Sequence, residues 1–414
     1  MRRVAVTGLG IISPVGNSVK EFWNSLTAGK CGIGFITKFD TTNYKVKIAA
    51  EVKSFDPTCC MKKSEVRKTD LFTQYALAAA DQAMNDSGLA GKIDPQRFGV
   101  YVGSGIGGMH TIEEETEKLM TRGPSRVSPY FVPKMIINMA AGSIAIRCDA
   151  EGPCLPVVTA CATSSQTVGE AFRAIQHGYA DAILAGGAEA PILPIGVAGF
   201  TSCRALSTTN DPLNSSIPFD RRRDGFVMGE GAGILVLEEY EHAVSRGAKI
   251  YAEVTGYGNT CDAYHPTAPD PEAKGGAEAI RLAAQEAGIN GQDVLYINAH
   301  GTGTPLNDST ETLAIKKALP ALAKSAYISS TKSMTGHMLG AAGAAEAIAS
   351  VLALFTGTVP PTIGYKEPDP ACDLNYVPNR SVQADPTSAL SISLGFGGHN
   401  ACIAFRKGME AQPA

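Results

Sequence analysis

The feature that most constrains the fold of this chain is a degenerate internal repeat. Residues 4–10 read VAVTGLG and residues 252–258 read AEVTGYG, and four of these seven positions are identical. Residues 98–105 and 294–301 form a second pair, since each is a short apolar stretch that runs into glycine. Such a pattern is typical of a buried strand that ends in a tight turn. The repeat predicts a chain built from two similar halves.

The helices expected between these strands extend the pattern. Residues 70–88 and 275–288 carry alanine-rich faces, and residues 340–355 are almost uniformly apolar. Helices that alternate with apolar strands favour parallel sheets covered on both faces, with the apolar helix between two sheets. We therefore expect an α/β fold with two pseudo-repeated halves, 1–250 and 251–414.

Two polar stretches interrupt this pattern in the first half. Residues 109–130 and 202–224 are poor in apolar periodicity. We expect both to be insertions on the surface of the first half, which would explain why that half is the longer one.

Composition excludes several classes of protein. With 44% hydrophobic and 18% charged residues, the chain is expected to be a soluble globular protein. Its net charge of −4 gives no global attraction to nucleic acid or to a membrane, and no apolar run is expected to span one. The N-terminus lacks the pattern of a signal peptide, and the ten scattered cysteines form no CxxC pair. A cytoplasmic location is the expectation.

Cys161 is the first candidate functional residue. It lies in VVTACATSS at 157–165, where a β-branched run meets small residues and then a helical pattern that stops near Gly178. A strand-to-helix turn would direct unpaired N–H groups and the helix dipole at the sulfur, which favours thiolate. The sequence predicts a nucleophile here, and the alternative is a small buried apolar residue.

Two further segments carry histidines in similar settings. Residues 298–308 read NAHGTGTPLND, which puts His300 at the end of a strand, and residues 330–340 read STKSMTGHMLG, which puts Lys332 and His337 before the apolar helix. Either histidine alone could be an ordinary turn residue. The glycines at 8–10 lack the third glycine of a dinucleotide fingerprint, so no nucleotide cofactor is predicted.

Together these segments resemble the signature set of the condensing enzymes. The matching motifs are TACATSS at 159–165, HGTGT at 300–304, KSxxGH at 332–337 and GFGGHN at 395–400. They are most similar to the elongating β-ketoacyl-acyl-carrier-protein synthases of type II, and GSGIGG at 103–108 favours that type over type I. The resemblance implies a thiolase-like fold of five layers, α-β-α-β-α, in a homodimer that binds acyl carrier protein, with no cofactor.

The resemblance also implies roles for individual residues. Cys161 would accept an acyl group from acyl-carrier protein as a thioester. The backbone N–H groups of Cys161 and Phe396 would form an oxyanion hole. His300 and His337, as neutral imidazoles, would promote decarboxylation of malonyl-carrier protein and stabilise the enolate that attacks the thioester. The product would be a 3-oxoacyl-carrier protein, with carbon dioxide.

Five polar residues are expected to support this chemistry. Glu346 lies on the apolar helix, where an unpaired carboxylate is costly, so Lys332 is its expected partner. Asp308 is expected in the same network. By resemblance, Thr302 and Thr304 would hydrogen-bond the phosphopantetheine arm of the carrier.

Two positions depart from the family pattern. The resemblance implies a structural monovalent cation near Asn298, Glu346 and Ser391, but Ile392 stands where relatives can have Asn, which leaves that site open. His399 stands where Thr is commoner, three residues after Phe396, and is expected to be structural.

The remaining expectations concern substrate and partner. Ile106 and Phe200 match positions that line the acyl tunnel in relatives, and apolar side chains suit a hydrocarbon tail. Lys63, Arg67 and Lys68 form a basic patch for an acidic carrier protein, although such a run could also be an ordinary solvated face.

Three other functions stay open. A polyketide-type ketosynthase would carry the same motifs. A Cys-His acyl hydrolase or transferase needs only one histidine, so the second histidine and Lys332 argue against it. A non-catalytic partner of the chain-length-factor type usually replaces the cysteine, and Cys161 is retained. The preferred acyl length is not readable from the sequence.

Overall fold

The structure is a computed structural model and describes residues 1–408. The strands found there are, in chain order, β1 Val4–Ile12, β2 Gly34–Phe35, β3 Ile48–Ala49, β4 Phe98–Gly103, β5 Ala182–Glu189, β6 Gly231–Glu239, β7 Ala252–Cys261, β8 Leu295–Asn298, β9 Tyr327–Ser329, β10 Thr358–Val359, β11 Val382–Gln383, β12 Ser388–Gly395 and β13 His399–Lys407. The helices are α1 Val19–Thr27, α2 Lys63–Val66, α3 Leu71–Ser87, α4 Met109–Arg122, α5 Phe131–Met135, α6 Met139–Cys148, α7 Thr163–Gln176, α8 Pro194–Ser202, α9 Tyr240–Ser245, α10 Lys274–Glu286, α11 Pro305–Ala318, α12 Lys332–Thr335 and α13 Ala342–Thr356.

Nine strands form one mixed sheet in the order β4-β5-β6-β1-β7-β13-β12-β8-β9. Outward from its centre the sheet repeats: β1-β6-β5-β4 on one side corresponds to β7-β13-β12-β8 on the other, and β9 extends the second side. In each series the first three strands are antiparallel and the outer pair is parallel. The repeat in the sequence is therefore a repeat of topology.

The two expected sheets are joined into one ladder at the centre. Val4 pairs with Val254 and Val6 with Ala252, so a short antiparallel contact between β1 and β7 links the two halves. A pairing this short leaves no signal in hydrophobic pattern, because both strands are buried and apolar whichever neighbour they have.

The helices divide the protein into five layers, α-β-α-β-α, as the resemblance implied. Helices α7 and α13 contact each other and lie between the two halves of the sheet, since each touches strands of both halves. The outer face of the first half is covered by α3, and that of the second half by α10. Helix α3 of the first half therefore corresponds to α10 of the second, and α7 corresponds to α13.

The central helix α13 has a composition that would also suit a membrane. The stretch Leu339–Thr356 is long and apolar enough to cross one by length and composition, and 89% of it is buried inside the protein. The expectation that no uninterrupted apolar run reaches this length still holds, because Glu346 interrupts the stretch while its mean hydropathy stays high. Here the helix fills the layer between the sheet halves.

Local sequence signals place the outer helices well. Helix α3, expected over 70–88, begins after Asp70, whose carboxylate accepts the N–H of Phe72, and ends at Gly88 in the left-handed conformation, φ 59°. Helix α10 occupies most of the range 275–288.

The two polar stretches are not simple surface loops. Residues 109–122 form helix α4, and the segment 215–220 is buried. Within that segment Phe219 stacks on Tyr376 with ring centroids 3.9 Å apart, and its N–H donates to Asp308 at 2.8 Å. The surface expectation was wrong for this segment because a buried carboxylate from the second half satisfies its backbone.

Candidate active site

Cys161 lies in the tight turn Ala160–Ala162, directly before α7. Ala160 has φ 51°, a left-handed conformation that costs energy for a residue with a side chain. The preceding residues 157–159 are not part of a strand, and the nearest pairing is an isolated bridge between Cys154 and Val100. The predicted helix is present and the predicted strand is absent, because this backbone crosses close over Gly103 rather than joining the ladder.

The sulfur of Cys161 is buried, and its residue is only 8% exposed. Burial raises the pKa of the thiol to about 11, although the charge of Lys332 and the N–H groups of Phe396 and Cys161 act in the opposite direction. The expectation that the turn favours thiolate was wrong, since desolvation outweighs the helix end. The two N–H groups nevertheless lie beside the sulfur, where an oxyanion would form.

His300 and His337 face each other next to this cysteine. Their ring centroids are 5.3 Å apart and the planes meet at 87°. The pKa of each imidazole lies well below its usual value, mainly because of burial and then because of the charge of Lys332. Both Nδ1 atoms are buried without a hydrogen bond inside 1–408, whereas the Nε2 side of each ring is open to the cavity. Both rings are therefore neutral.

Lys332 pairs with Glu346, as expected, in a salt bridge whose two side chains are almost fully buried. Burial raises the pKa of Glu346 to about 7, and the ammonium group of Lys332 opposes that rise. Asp308 does not join this pair. Its carboxylate accepts the N–H groups of Phe219 at 2.8 Å and Gly303 at 3.2 Å, because its position in the first turn of α11 directs it at those loops.

Glu311 was not singled out from the sequence. Its buried carboxylate accepts the N–H of His300 at 2.6 Å and that of Gly301 at 2.7 Å, and burial raises its pKa to about 7. It thereby fixes the backbone that carries the histidine. In the sequence it is one of two carboxylates in the segment that forms α11, and nothing there distinguishes it from Glu278, whose side chain is half-exposed.

One cavity of about 410 Å³ unites most of the predicted residues. Its walls include Cys161, His300, His337, Thr302, Thr304 and Phe396. The hydroxyls of Thr302 and Thr304 lie 2.9 Å apart and form a polar edge to it. A larger groove of about 870 Å³ runs beside α3 and α6 and contains none of these residues, so we take the smaller cavity as the site.

Phe396 occupies a hairpin that only glycine-rich sequence can form. Gly397 and Gly398 have φ of 87° and 78°, and His399 then begins β13 opposite Gly395. This geometry places the Phe396 N–H at the sulfur. His399 belongs to the ladder, in agreement with a structural role.

The two expected tunnel residues do not line the cavity itself. Phe200 packs in the same apolar cluster as Cys161 and meets Phe226 edge to face at 5.8 Å. Phe226 in turn meets His337 at 5.0 Å. Ile106 lies in the turn after β4, half-buried. Phe200 stands behind the wall residue Phe226, and Ile106 is not part of the wall.

The basic patch lies on a separate surface. Lys63, Arg67 and Lys68 are exposed in and after α2. The ammonium group of Lys68 lies 5.4 Å from the ring centre of Tyr130, a distance typical of a cation–π contact.

The three residues considered for a cation stand together. Asn298 and Ser391 are paired in the ladder of β8 and β12, and the Asn298 amide lies 3.5 Å from the Glu346 carbonyl. Asn298 Oδ1, Glu346 Oε2 and Ser391 Oγ are buried with no hydrogen bond among residues 1–408. Three unpaired buried oxygens fit an oxygen-ligated cation. No cluster of three His, Cys, Asp or Glu with a metal-binding arrangement occurs in the described residues.

Comparison with known proteins agrees with this site. The chain matches the family models for the beta-ketoacyl synthase N-terminal domain over residues 1–243 and C-terminal domain over residues 251–366. It is 51% identical over 408 residues to the 3-oxoacyl-[acyl-carrier-protein] synthase 2 of Synechocystis sp., covering 98% of each chain.

Two solved structures are similar over nearly their whole length. One is the ishigamide ketosynthase/chain length factor, with a TM-score of 0.92, 39% identity and coverage of 99% of this chain and 100% of that chain. The other is a complex of a type II polyketide acyl-carrier protein with its ketosynthase bound to the hexaketide, with a TM-score of 0.91, 36% identity and the same coverage. The chain belongs to the beta-ketoacyl synthase family of condensing enzymes.

Proposed function

We propose that this chain condenses an acyl group with malonyl-acyl-carrier protein in fatty acid elongation, releasing carbon dioxide and 3-oxoacyl-carrier protein. The observation that carries this proposal is the single cavity that unites Cys161, His300 and His337. The halves 1–250 and 251–414 would act as two domains, the first supplying the nucleophile and the second the histidines.

The first half-reaction transfers the acyl group to Cys161. The thiol attacks the thioester carbonyl of acyl-carrier protein, and the N–H groups of Cys161 and Phe396 donate to the oxyanion that forms. Because burial raises the thiol's pKa to about 11, its proton leaves during the attack and passes to the departing thiolate of the carrier. The products are acyl-Cys161 and free carrier thiol.

The second half-reaction uses the neutral histidines. Nε2–H of His300 and of His337 would donate to the thioester oxygen of malonyl-carrier protein while the carboxylate leaves as carbon dioxide. The enolate carbon then attacks the carbonyl of acyl-Cys161, and the cysteine leaves as thiolate and regains a proton from solvent. An imidazolium would donate as well, but its charge is costly in so buried a place.

The decisive test separates the two half-reactions in His300→Ala and His337→Ala. We expect intact-protein mass spectrometry to find acyl-Cys161 in both variants. Release of labelled carbon dioxide from malonyl-carrier protein should fall by roughly 10²-fold or more, by analogy with the loss of an oxyanion-hole donor. Loss of acylation in both, or unchanged decarboxylation in both, would overturn these roles. A Cys-His hydrolase would lose acylation and would release no carbon dioxide.

The polyketide alternative draws support from the two solved structures, at 39% and 36% identity. The 51% identity to a 3-oxoacyl-[acyl-carrier-protein] synthase 2 favours fatty acid elongation. Product mass spectrometry with matched saturated and 3-oxo primers on carrier protein distinguishes them. Preference for saturated primers supports elongation, and preference for 3-oxo primers supports the polyketide reaction.

We also propose acyl carrier protein and a second copy of this chain as partners. The exposed basic patch of Lys63, Arg67 and Lys68 suits an acidic carrier.

A second copy would cover the apolar edge beside β4, where Leu155 and Val158 are exposed. All ten cysteines are free, which suits a reducing compartment such as cytoplasm. Sedimentation of the purified chain tests the dimer, and a monomer would contradict it.

A monovalent cation at Asn298, Glu346 and Ser391 is a further part of the proposal. Such an ion would supply positive charge to three buried oxygens that otherwise lack partners. We expect a higher melting temperature in potassium chloride than in choline chloride, and no such difference in Ser391→Ala. Equal melting in both salts, or a difference that survives Ser391→Ala, would contradict the site.

A further inference from the structure

The turn that carries Cys161 has a counterpart in the other half of the protein. The turn Ala160–Ala162 precedes α7, and the turn Leu339–Ala341 precedes the equivalent helix α13. The residue that opens each turn is left-handed, with φ 51° at Ala160 and 46° at Leu339. Gly340 therefore stands where Cys161 stands in the first turn. A β-carbon on Gly340 would lie 2.6 Å from Glu189 Oε2, which excludes any side chain there.

The N–H of Gly340 does not face a cavity, because the carboxylate of Glu189 fills that position. Glu189 ends β5 and is fully buried. It accepts four hydrogen bonds, from the hydroxyl of Ser104 at 2.6 Å and the N–H groups of Gly105 at 2.8 Å, Ile106 at 3.1 Å and Gly340 at 2.9 Å.

These contacts favour the ionised form of Glu189, because all four groups donate a hydrogen bond to its carboxylate. Three partners are N–H groups, and the fourth, Ser104 Oγ, already accepts the N–H of Gly107 at 2.9 Å and so directs its proton at the carboxylate. A carboxyl proton would find no acceptor at Oε2, whose two partners are the N–H groups of Gly105 and Gly340, and only the hydroxyl oxygen of Ser104 at Oε1. Burial raises the pKa of Glu189, and the four donors oppose that rise. Its negative charge in turn raises the pKa of the Cys161 thiol.

We propose that Glu189 is a positioning residue of the condensation site, an anion that occupies the counterpart of the oxyanion position and ties the backbone at Ile106 to the turn after His337. The proposal rests on the proposed function, since the oxyanion position is defined by the Cys161 N–H. Two consequences follow. The tie fixes the backbone of Ile106 relative to Gly340, and the buried charge adds to the effect of burial, which is the main cause of the raised pKa of the Cys161 thiol.

The first experiment measures alkylation of Cys161 by iodoacetamide against pH, with mass spectrometry to separate it from the other cysteines. Glu189→Gln removes the charge and replaces one acceptor oxygen by an NH₂ group, which cannot accept an N–H, so at least one contact of the tie is lost. We expect the alkylation profile of Cys161 to shift to lower pH, because loss of the negative charge lowers the pKa of its thiol. Condensation should fall at the same time.

Glu238→Gln is the matched control. Glu238 is also a fully buried glutamate on the same strand pair, but it lies opposite Ala182, at the far end of β5 from Glu189. Glu238→Gln should leave the alkylation profile of Cys161 unchanged. Equal profiles in wild type and Glu189→Gln, or the same shift in both variants, would overturn the proposal.

Ser104→Ala keeps the charge and removes one tie, which covers the case in which Glu189→Gln does not fold. We expect KM for long acyl primers to rise several-fold, with short primers and alkylation unaffected. An unchanged KM would contradict the positioning role. If wild type makes no 3-oxoacyl product, the proposed function fails, whereas the alkylation profile still tests Glu189.

Discussion

The imidazoles of His300 and His337 meet edge to face, with centroids 5.3 Å apart, and both rings feel the positive charge of Lys332. A protonated ring here would face both a low dielectric and a positive charge. The pair is therefore locked in the neutral form, which keeps the donors at Nε2 available without adding charge to the site.

This arrangement predicts a dependence of stability on pH. The pKa of each folded histidine lies far below 6.5, so the unfolded chain binds protons that the folded chain cannot. The free energy of unfolding contributed by each is fully present above about pH 6.5 and falls by up to about 1.4 kcal/mol per pH unit below it. His337→Asn should have a shallower slope than wild type in urea unfolding between about pH 6.5 and 5. Parallel slopes would contradict the shift.

The buried pair of Lys332 and Glu346 predicts a large cost for removing one partner. Lys332→Met leaves a carboxylate unpaired and should lower the free energy of unfolding by about 3–5 kcal/mol. The deficit should shrink as the pH is lowered toward 7, because without the ammonium group of Lys332 the pKa of Glu346 rises further and the carboxylate takes up a proton. The double variant Lys332→Met/Glu346→Leu should regain much of the stability but not the decarboxylation rate.

An exposed pair provides the control for that measurement. Lys274 and Glu272 form a salt bridge with side chains 71% and 63% exposed, so Lys274→Met should cost far less stability than Lys332→Met at any pH. Similar costs for Lys332→Met and Lys274→Met would show that the buried pair contributes no more than a surface one.

The sequence predicted the architecture because strand repeats, caps and glycine turns are local. Asp70 and Gly88 bound α3 as expected. The protonation states of the site were harder to predict from the sequence, because ionisation depends on burial, which only tertiary packing determines. The prediction of a thiolate at Cys161 was wrong for that reason. Glu189 and Glu311 escaped notice because their partners are backbone N–H groups, which leave no pattern in side-chain spacing.

The docking patch predicts a defect specific to carrier-bound substrate. Reversing the charge of Lys63, Arg67 and Lys68 should raise KM for acyl-carrier protein, and the effect should shrink at high salt because exposed charges are screened. Acylation of Cys161 by acyl-coenzyme A should stay nearly unchanged.

Reversal of three exposed lysines on other elements, Lys20, Lys92 and Lys324, makes the same change in net charge and is the control. An equal rise in KM with the control variant would assign the effect to net charge. An equal defect with acyl-carrier protein and with acyl-coenzyme A would show that the patch stabilises the fold and does not dock the carrier.

The apolar residues behind the cavity predict a selective effect on chain length. Phe200, Phe226 and His337 form a series of edge-to-face contacts, at 5.8 Å and 5.0 Å, and Ile106 lies in the turn held by Glu189. We propose that a long acyl tail on Cys161 extends beyond the cavity of about 410 Å³ toward these side chains. Ile106→Phe should therefore abolish turnover of long primers and spare short ones.

Phe200→Ala should keep turnover of long primers but slow decarboxylation, because Phe226 loses the ring that holds it against His337. Kinetics with a ladder of acyl-carrier proteins checks both, and equal loss at every primer length in Ile106→Phe would place the tail elsewhere.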